Sequence, residues 1–329
     1  MATKHKHITV TGAAGFIGSH VTEQLLQAGH SVTAFVRYTS TGSAGFIDSF
    51  DQALCKNLNI ISGDIRNRDD VRRALANSDV VIHLAAQIAI PYSYLAPDDF
   101  LRVNAGGTMN VLQTVNDLKI SRAVILSTSE VYGSAQYTPI DEKHPQVAQS
   151  PYSASKIAAD KIGESFYRSF GTPVVIARPF NTYGPRQSAR AVVPTIILQA
   201  LRGNTIKLGN IDTRRDLNYV KDTAAALIKI ALSNKGIGEE VNICSGVDIS
   251  IADIVEKVGD ILGKKLTIKT DKRRVRPTKS EVSRLLGDGT KAEKLFHLPK
   301  KTSIEEGLKQ TIAYFESHLE TMKKEDFQL

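Results

Sequence analysis

The chain predicts an α/β fold, a doubly wound parallel sheet with a smaller C-terminal lobe. Three observations carry that expectation. Glycines 12, 15 and 18 sit at the join between an apolar run and a helical pattern. Short apolar runs then alternate with helical patterns as far as Pro179, the order that builds a parallel sheet covered on both faces. Beyond Pro179 the alternation weakens, which marks a less regular second region.

The elements follow in order. His7–Thr11 is a first strand, and the turn Gly12–Gly18 leads into a helix from about Ser19 to Gln27, closed by Gly29. Ser31–Val36 is a second strand. Strand, glycine turn, helix and strand make a dinucleotide-binding unit, so the sheet is of Rossmann type. Further buried strands are expected at Leu58–Ser62, Val80–Leu84, Ala123–Ser127 and Val174–Arg178, separated by helices at Asp69–Ala76, Gly106–Leu118 and Ser153–Phe170. Asn181–Gln187 reads as a loop and Val193–Arg202 as a helix. Leu217–Val220, Ala224–Ser233 and Val241–Ser245 are expected to return to the main sheet. Ile251–Leu262, Leu266–Thr270 and Ile304–Leu319 would build the small lobe. The expected division is an NAD(P)-binding domain over residues 1–180 with return segments at about 217–245, and a substrate-binding lobe over 181–216 and 246–329.

Bulk properties narrow the function. A chain of 329 residues with 42% apolar and 23% charged residues is an ordinary globular composition. Two cysteines, Cys55 and Cys244, are too few for a disulfide scaffold and point to a reducing, cytoplasmic compartment. The polar, basic first residues match no signal peptide. The apolar run Ala191–Leu201 is short of a membrane span and is broken by Pro194. The net charge of +8 raises nucleic acid as a partner, but the basic residues are scattered and aromatics are 6% of the chain, too few for base stacking. A small anionic substrate, or a solvated basic face, accounts for the excess as well. Neither nucleic acid nor membrane is expected as a partner, and no His/Cys/Asp spacing fits a metal.

Tyr152 and Lys156 stand four apart, so in a helix they share one face. A lysine ammonium there would lower the phenol from its free value near ~10, toward acid/base work near neutrality. The glycine spacing leaves backbone room for a pyrophosphate at the helix N-terminus. At the end of the second strand stands Arg37 where an acid would select NAD, which leans toward NADP; an arginine in solvent is the alternative. Asp64 accepts from the adenine amino group or caps the following helix. Small Ala85 and Ala86 let a cofactor lie close, beside His83, which alone reads as a core histidine. Asn104 either positions backbone near the site or caps a helix.

Taken together, Thr11–Gly18, Asp64-Ile65-Arg66, His83–Ala86, Thr128-Ser129-Glu130-Val131-Tyr132-Gly133, Tyr152-x-x-x-Lys156 and Arg178-Pro179-Phe180-Asn181 resemble an extended short-chain dehydrogenase/reductase over nearly the whole chain. Within that superfamily the chain resembles nucleotide-sugar 4,6-dehydratases. Ala89–Tyr94, Ser134–Tyr137 and Arg186–Ala191 are most similar to the UDP-N-acetylglucosamine 4,6-dehydratase group of legionaminic-acid-type pathways. The resemblance implies that Thr128 binds the sugar C4 hydroxyl, Tyr152 takes its proton, Lys156 holds the cofactor ribose, and Glu130 removes the C5 proton. Ser129 stands where many such enzymes have an acid; GDP-mannose dehydratases and UDP-glucuronate decarboxylases resemble this Thr-Ser-Glu. It further implies NAD or NADP contacts from Gly12, Gly15, Phe16, Ile17, Gly18, Arg37, Asp64, Ile65, Leu84, Ala85, Ala86, Asn104 and Arg178. Substrate contacts are implied for Asn181, Arg215 and Arg276, with Arg186 and Arg190 beside them, since arginine forks onto phosphate. A homodimer through the helices at 106–118 and 153–170 is the implied assembly. A 4-epimerase, a uronate decarboxylase and a non-catalytic NADP-sensing protein are the rival readings.

Overall fold

The computed structural model describes residues 5–271, 274, 282 and 284–320. Six parallel strands are laid down first: β1 (His7–Thr11), β2 (Ser31–Arg37), β3 (Leu58–Gly63), β4 (Val80–His83), β5 (Arg122–Leu126) and β6 (Val174–Pro179). A seventh, Glu240–Ile243, pairs in parallel with β6. The spatial order is β3-β2-β1-β4-β5-β6 followed by Glu240–Ile243. The chain reverses its direction of travel between β1 and β4, and ligands of such sheets sit outside the strand ends at that point.

Strand alternation puts two cores on the sheet. Val80, Ile82 and Val124 face one side, with Val21 and Leu25 of α1 (Phe16–Gln27) and Leu227 and Ile230 of the helix Val220–Leu232. Val81, Ala123 and Ile125 face the other, with Val71 and Leu75 of α2 (Arg68–Leu75) and with Val111, Leu112 and Val115 of Gly107–Asp117. Both faces are therefore covered, as the near-continuous apolar strands require. The long helix Pro151–Phe170 starts from a reciprocal cap between Ser150 and Ser153, with Pro151 in its first turn, and ends at Gly171 with φ of +67°. Serine, proline and left-handed glycine are the expected signals at those positions.

A second core fills the outer lobe. Ile196, Ile197 and Ala200 of Val192–Arg202 pack with Ile254 and Val258 of Ile251–Leu262 and with Leu308, Ile312 and Phe315 of Ile304–Ser317. Here the structure corrects the expected topology. Leu217–Val220 does not return to the main sheet. Its strand, Arg214–Tyr219, joins a four-stranded sheet with Asn181–Tyr183, Asp248–Ser250 and Arg284–Leu285. Of the three return segments, the helix Val220–Leu232 and the strand Glu240–Ile243 reach the main sheet. The expected loop at 181–187 also begins as a strand, with Asn181 paired to Leu217. Among the described residues no helix is long and apolar enough to cross a membrane.

Candidate active site

The glycine turn is built by its own backbone. Gly12 holds φ at +69°, and a Cβ there would lie 2.7 Å from the Ala85 nitrogen. A Cβ on Gly18 would lie 2.1 Å from the Gly12 carbonyl oxygen. Gly15 stands at the N-cap of α1 with no side-chain cap, and no acidic residue occupies the first turn. The first amides are thus left for an anion. These features fit a dinucleotide pyrophosphate. Phe16 and Ile17 also pack against the outer-lobe core, so this turn joins the two regions.

A directed chain of hydrogen bonds fixes the opposite wall. The amides of Leu84 and Ala85 each donate to Thr11 Oγ1 at 3.2 Å. Thr11 Oγ1 lies 2.7 Å from His83 Nδ1, and His83 Nε2 lies 3.2 Å from Thr108 Oγ1, which donates to the Asn104 carbonyl at 2.6 Å. That order assigns the proton to Nε2 of a neutral ring. Burial, followed by the Lys156 charge, pushes His83 down to about 3, so His83 is a core histidine. Asn104 is not a helix cap. It lies in the π-helical segment Leu101–Gly106. Its side chain accepts from the Gln87 amide at 2.8 Å and donates to the Gln87 carbonyl at 3.0 Å and to Ser155 Oγ at 2.8 Å. Ser155 in turn donates to the Tyr152 carbonyl at 2.7 Å. Asn104 therefore ties the segment after β4 to the helix bearing Tyr152 and Lys156.

Thr128 caps a short turn, Ser129–Tyr132, and its Oγ1 accepts from the Glu130 amide at 3.2 Å. Thr128 also lies close enough to Tyr152 to act on its phenol. Tyr152 is buried, with Phe100 edge-on at 6.2 Å between ring centroids. Burial raises its phenol above the ordinary value; the neighbouring Thr128 side chain opposes this, and the Glu130 and Asp160 carboxylates add to it. Burial thus works against the lowering expected from Lys156, and the phenol lies above its ordinary value. Lys156 gives its Nζ proton to the Leu126 carbonyl at 2.6 Å. Burial takes it down to about 8, against the pull of Asp160. Ser129 is buried, Glu130 half-buried. Ser127 Oγ and Asn181 Oδ1 are buried without a hydrogen-bond partner; Ser127 follows the last residue of β5, and Asn181 opens the strand Asn181–Tyr183 two residues beyond β6.

Other expected contacts fall elsewhere. Arg178 is wholly buried, its Nε 2.9 Å from Asp160, its Nη2 2.8 Å from Glu240 and its Nη1 3.2 Å from the Tyr132 hydroxyl. Its guanidinium is spent inside the fold, and the cofactor role is withdrawn. Asp64 takes Arg66 through both oxygens, and Arg66 and then Arg37 help hold it below the usual carboxylate range. It does not cap α2, since Asn67 accepts from the Asp69 amide. Ile65 is buried against the side of α2 and Gly107. Ala86 is half-buried and Arg37 exposed. Arg186 pairs with Glu23 of α1 at 2.8 Å, so it is engaged by the cofactor-side helix and not held for substrate. Arg190 is exposed. Arg215 is 9% exposed and donates to the Arg214 carbonyl, two positions along its strand from the partner of Asn181. Arg276 lies outside the described residues. Sequence reasoning missed Phe100, Ser155 and Asp160; the last had a signal, since it repeats the spacing of Tyr152 and Lys156 one helical turn on.

Comparison with known proteins agrees with this arrangement. The family model described as GDP-mannose 4,6 dehydratase matches residues 9–311. The low-salt glycan biosynthesis protein Agl12 of Haloferax volcanii is 34% identical over 262 residues, covering 78% of this chain and 82% of that one. The structure of DesIV, a dTDP-glucose 4,6-dehydratase from Streptomyces venezuelae with NAD and TYD bound, superposes with a TM-score of 0.85 at 27% identity, over 96% of this chain and 99% of that one. A UDP-N-acetylglucosamine 4-epimerase from Methanobrevibacter ruminantium, in complex with UDP-N-acetylmuramic acid, gives 0.87 at 29% identity over 96% and 99%. With its glycine turn, its Tyr152–Lys156 helix and the match over nearly its full length, the chain belongs to the GDP-mannose 4,6-dehydratase family of extended short-chain dehydrogenase/reductases.

Proposed function

We propose that the chain is an NAD(P)-dependent nucleotide-sugar 4,6-dehydratase, acting on UDP-N-acetylglucosamine and yielding a 4-keto-6-deoxy sugar nucleotide. The observation that carries this is Glu130, a half-buried carboxylate in the turn capped by Thr128, close enough to raise the Tyr152 phenol. A 4-epimerase oxidises and reduces C4 and needs no base at C5, whereas elimination of water across C5 and C6 does.

The dinucleotide would be held by the Gly12–Gly18 turn, Ala85 and Lys156, and when bound it supplies the reversible two-electron acceptor for the sugar. Thr128 and Tyr152 bind the C4 hydroxyl, and Tyr152 accepts its proton. The charge on Lys156 counters the anionic phenolate. Glu130 takes the proton from C5, made acidic by the ketone at C4, and the C6 hydroxyl leaves as water with a proton returned to it; the hydride taken from C4 would then return to C6 as Glu130 gives a proton back to C5, which completes the 4-keto-6-deoxy product. Buried Ser129 has no acid to give, so Glu130 or solvent supplies that proton. Asn181 and Arg215 serve the diphosphate, with Arg276 expected beside them. The narrower sugar assignment is supported by the Ala89–Tyr94 segment and by the likeness to the Methanobrevibacter enzyme. That same likeness favours 4-epimerisation as the second reading.

Turnover in deuterated water separates the two. Dehydration through Glu130 places solvent deuterium at C5 of the product, and Glu130→Gln abolishes that incorporation while C4 oxidation persists. Product without C5 deuterium, or C5 exchange at the wild-type rate in Glu130→Gln, removes Glu130 from the role of base.

A further inference from the structure

The loop from Gly184 to Gln187 lies across the helix that begins at the glycine turn. His20 Nε2 donates to the Pro185 carbonyl at 3.0 Å. Arg186 Nη1 lies 2.8 Å from a Glu23 carboxylate oxygen and donates to Ser19 Oγ at 3.4 Å. The Arg186 guanidinium also sits over the Phe50 ring, 5.4 Å from its centroid. Its backbone holds φ at +69°. A non-glycine residue keeps that conformation only where its surroundings impose it.

The partners of Arg186 flank the glycine turn. Ser19 lies in the first turn of α1 and donates to the Phe16 carbonyl at 3.0 Å. Phe50 closes the short turn Gly45–Ser49, whose Phe46 amide donates to the Ala14 carbonyl at 3.4 Å. One guanidinium thus contacts residues on both sides of Gly12–Gly18, from a loop that follows the strand Asn181–Tyr183. The side chains of the pair are 15% and 28% exposed, so solvent screens them less than a surface pair.

We propose that Arg186 and Glu23 form a clasp that retains the dinucleotide, positioning the glycine turn rather than touching the reacting atoms. The inference rests on the reading that the chain works with a bound NAD(P). In redox-neutral turnover the cofactor ends as it began, so its release serves no step, and a device that slows release has a use. The loop that leads from Asn181 is then also what ties the outer lobe to the cofactor-binding helix.

The test is the release of bound radiolabelled NAD or NADP, whichever the wild type holds, chased with the same unlabelled dinucleotide, from the wild type, Arg186→Met, Glu23→Gln and the charge-reversed pair Arg186→Glu with Glu23→Arg. Melting temperatures establish that each variant is folded. Each single variant should release the dinucleotide about 10-fold faster or more, the size of one charge-assisted contact, and the reversed pair should recover much of the slow release. Arg168→Met, on the exposed face of Pro151–Phe170, should release at the wild-type rate. Unchanged release from folded Arg186→Met and Glu23→Gln overturns the clasp, as does equal acceleration by Arg168→Met. Wild type that takes up neither NAD nor NADP overturns the clasp together with the cofactor reading beneath it; tight binding with unchanged release overturns the clasp alone.

Discussion

At the scale of single residues, the proposed chemistry rests on Tyr152 and Lys156, and burial shifts the titration of both. Tyr152→Phe removes the hydroxyl proposed to take the C4 proton. Turnover should fall by about 10²- to 10⁴-fold, the reach of a positioned acid/base, with near-native kcat as the contradicting result. Lys156 is brought down to about 8 by burial, so its ammonium is present below that pH and lost above it. An unfolded lysine keeps its proton to about 10.4, so between about 8 and 10.4 the unfolded chain binds more protons and folding stability rises with pH. Activity that needs the ammonium runs the other way. A pH–rate profile should show kcat/KM falling through pH ~8, and a rate flat to pH 10 would exclude the charged form. Arg37 is exposed at the end of β2, and its charge reaches Asp64. Arg37→Asp should shift preference from NADP toward NAD, read from the two dissociation constants; wild type purified with NAD alone would contradict the Arg37 reading.

At the scale of elements, one buried cation joins three of them. Arg178 of β6 holds Asp160 of the Tyr152 helix, Glu240 of the seventh strand and Tyr132 of the turn that carries Glu130. Arg178→Met leaves Asp160 buried without its partner and should cost about 3–5 kcal/mol, the loss found when a buried pair is broken on one side; denaturant unfolding measures it. This cluster also explains what was legible in the sequence. Tyr152 and Lys156 announce themselves because four residues on a helix are neighbours in space. The glycines do so because backbone access needs them wherever strand meets helix. An arginine carries no such signal. Arg178 and Arg186 match the pattern of ligand-binding cations, yet their carboxylates come from elements remote in sequence, and only the packed fold shows which charge is already satisfied. Leu217–Val220 misled for a related reason. A short apolar strand does not encode which sheet it joins, and here Asn181–Tyr183, which reads as loop, supplies one of its partners.

At the scale of the whole molecule, the homodimer is a proposal about the outer faces of Gly107–Asp117 and Pro151–Phe170. Small residues on the second helix divide between two tasks. Ala159 is fully buried, and a Cβ on Gly163 would meet Ile176 at 3.1 Å, so both serve the chain's own sheet. Ala154 is exposed and Ala158 half-buried, with Met109 on the neighbouring helix 41% exposed, and these remain for a partner helix. An isologous contact of about 1,200 Å² or more is expected for a stable pair. Sedimentation at micromolar concentration should give twice 35.9 kDa, and a clean monomer would reject the pairing. The two regions of one chain meet at the site itself. Phe16 and Ile17 of the glycine turn pack into the outer-lobe core, so under the proposed function a sugar nucleotide held by the outer lobe would lie against the cofactor turn. The measurement that bears most directly on what this arrangement does is the product mass after incubation with a panel of nucleotide sugars that includes UDP-N-acetylglucosamine. Dehydration predicts the loss of one water. An unchanged mass with inverted C4, or the loss of carbon dioxide from a uronate, would contradict it.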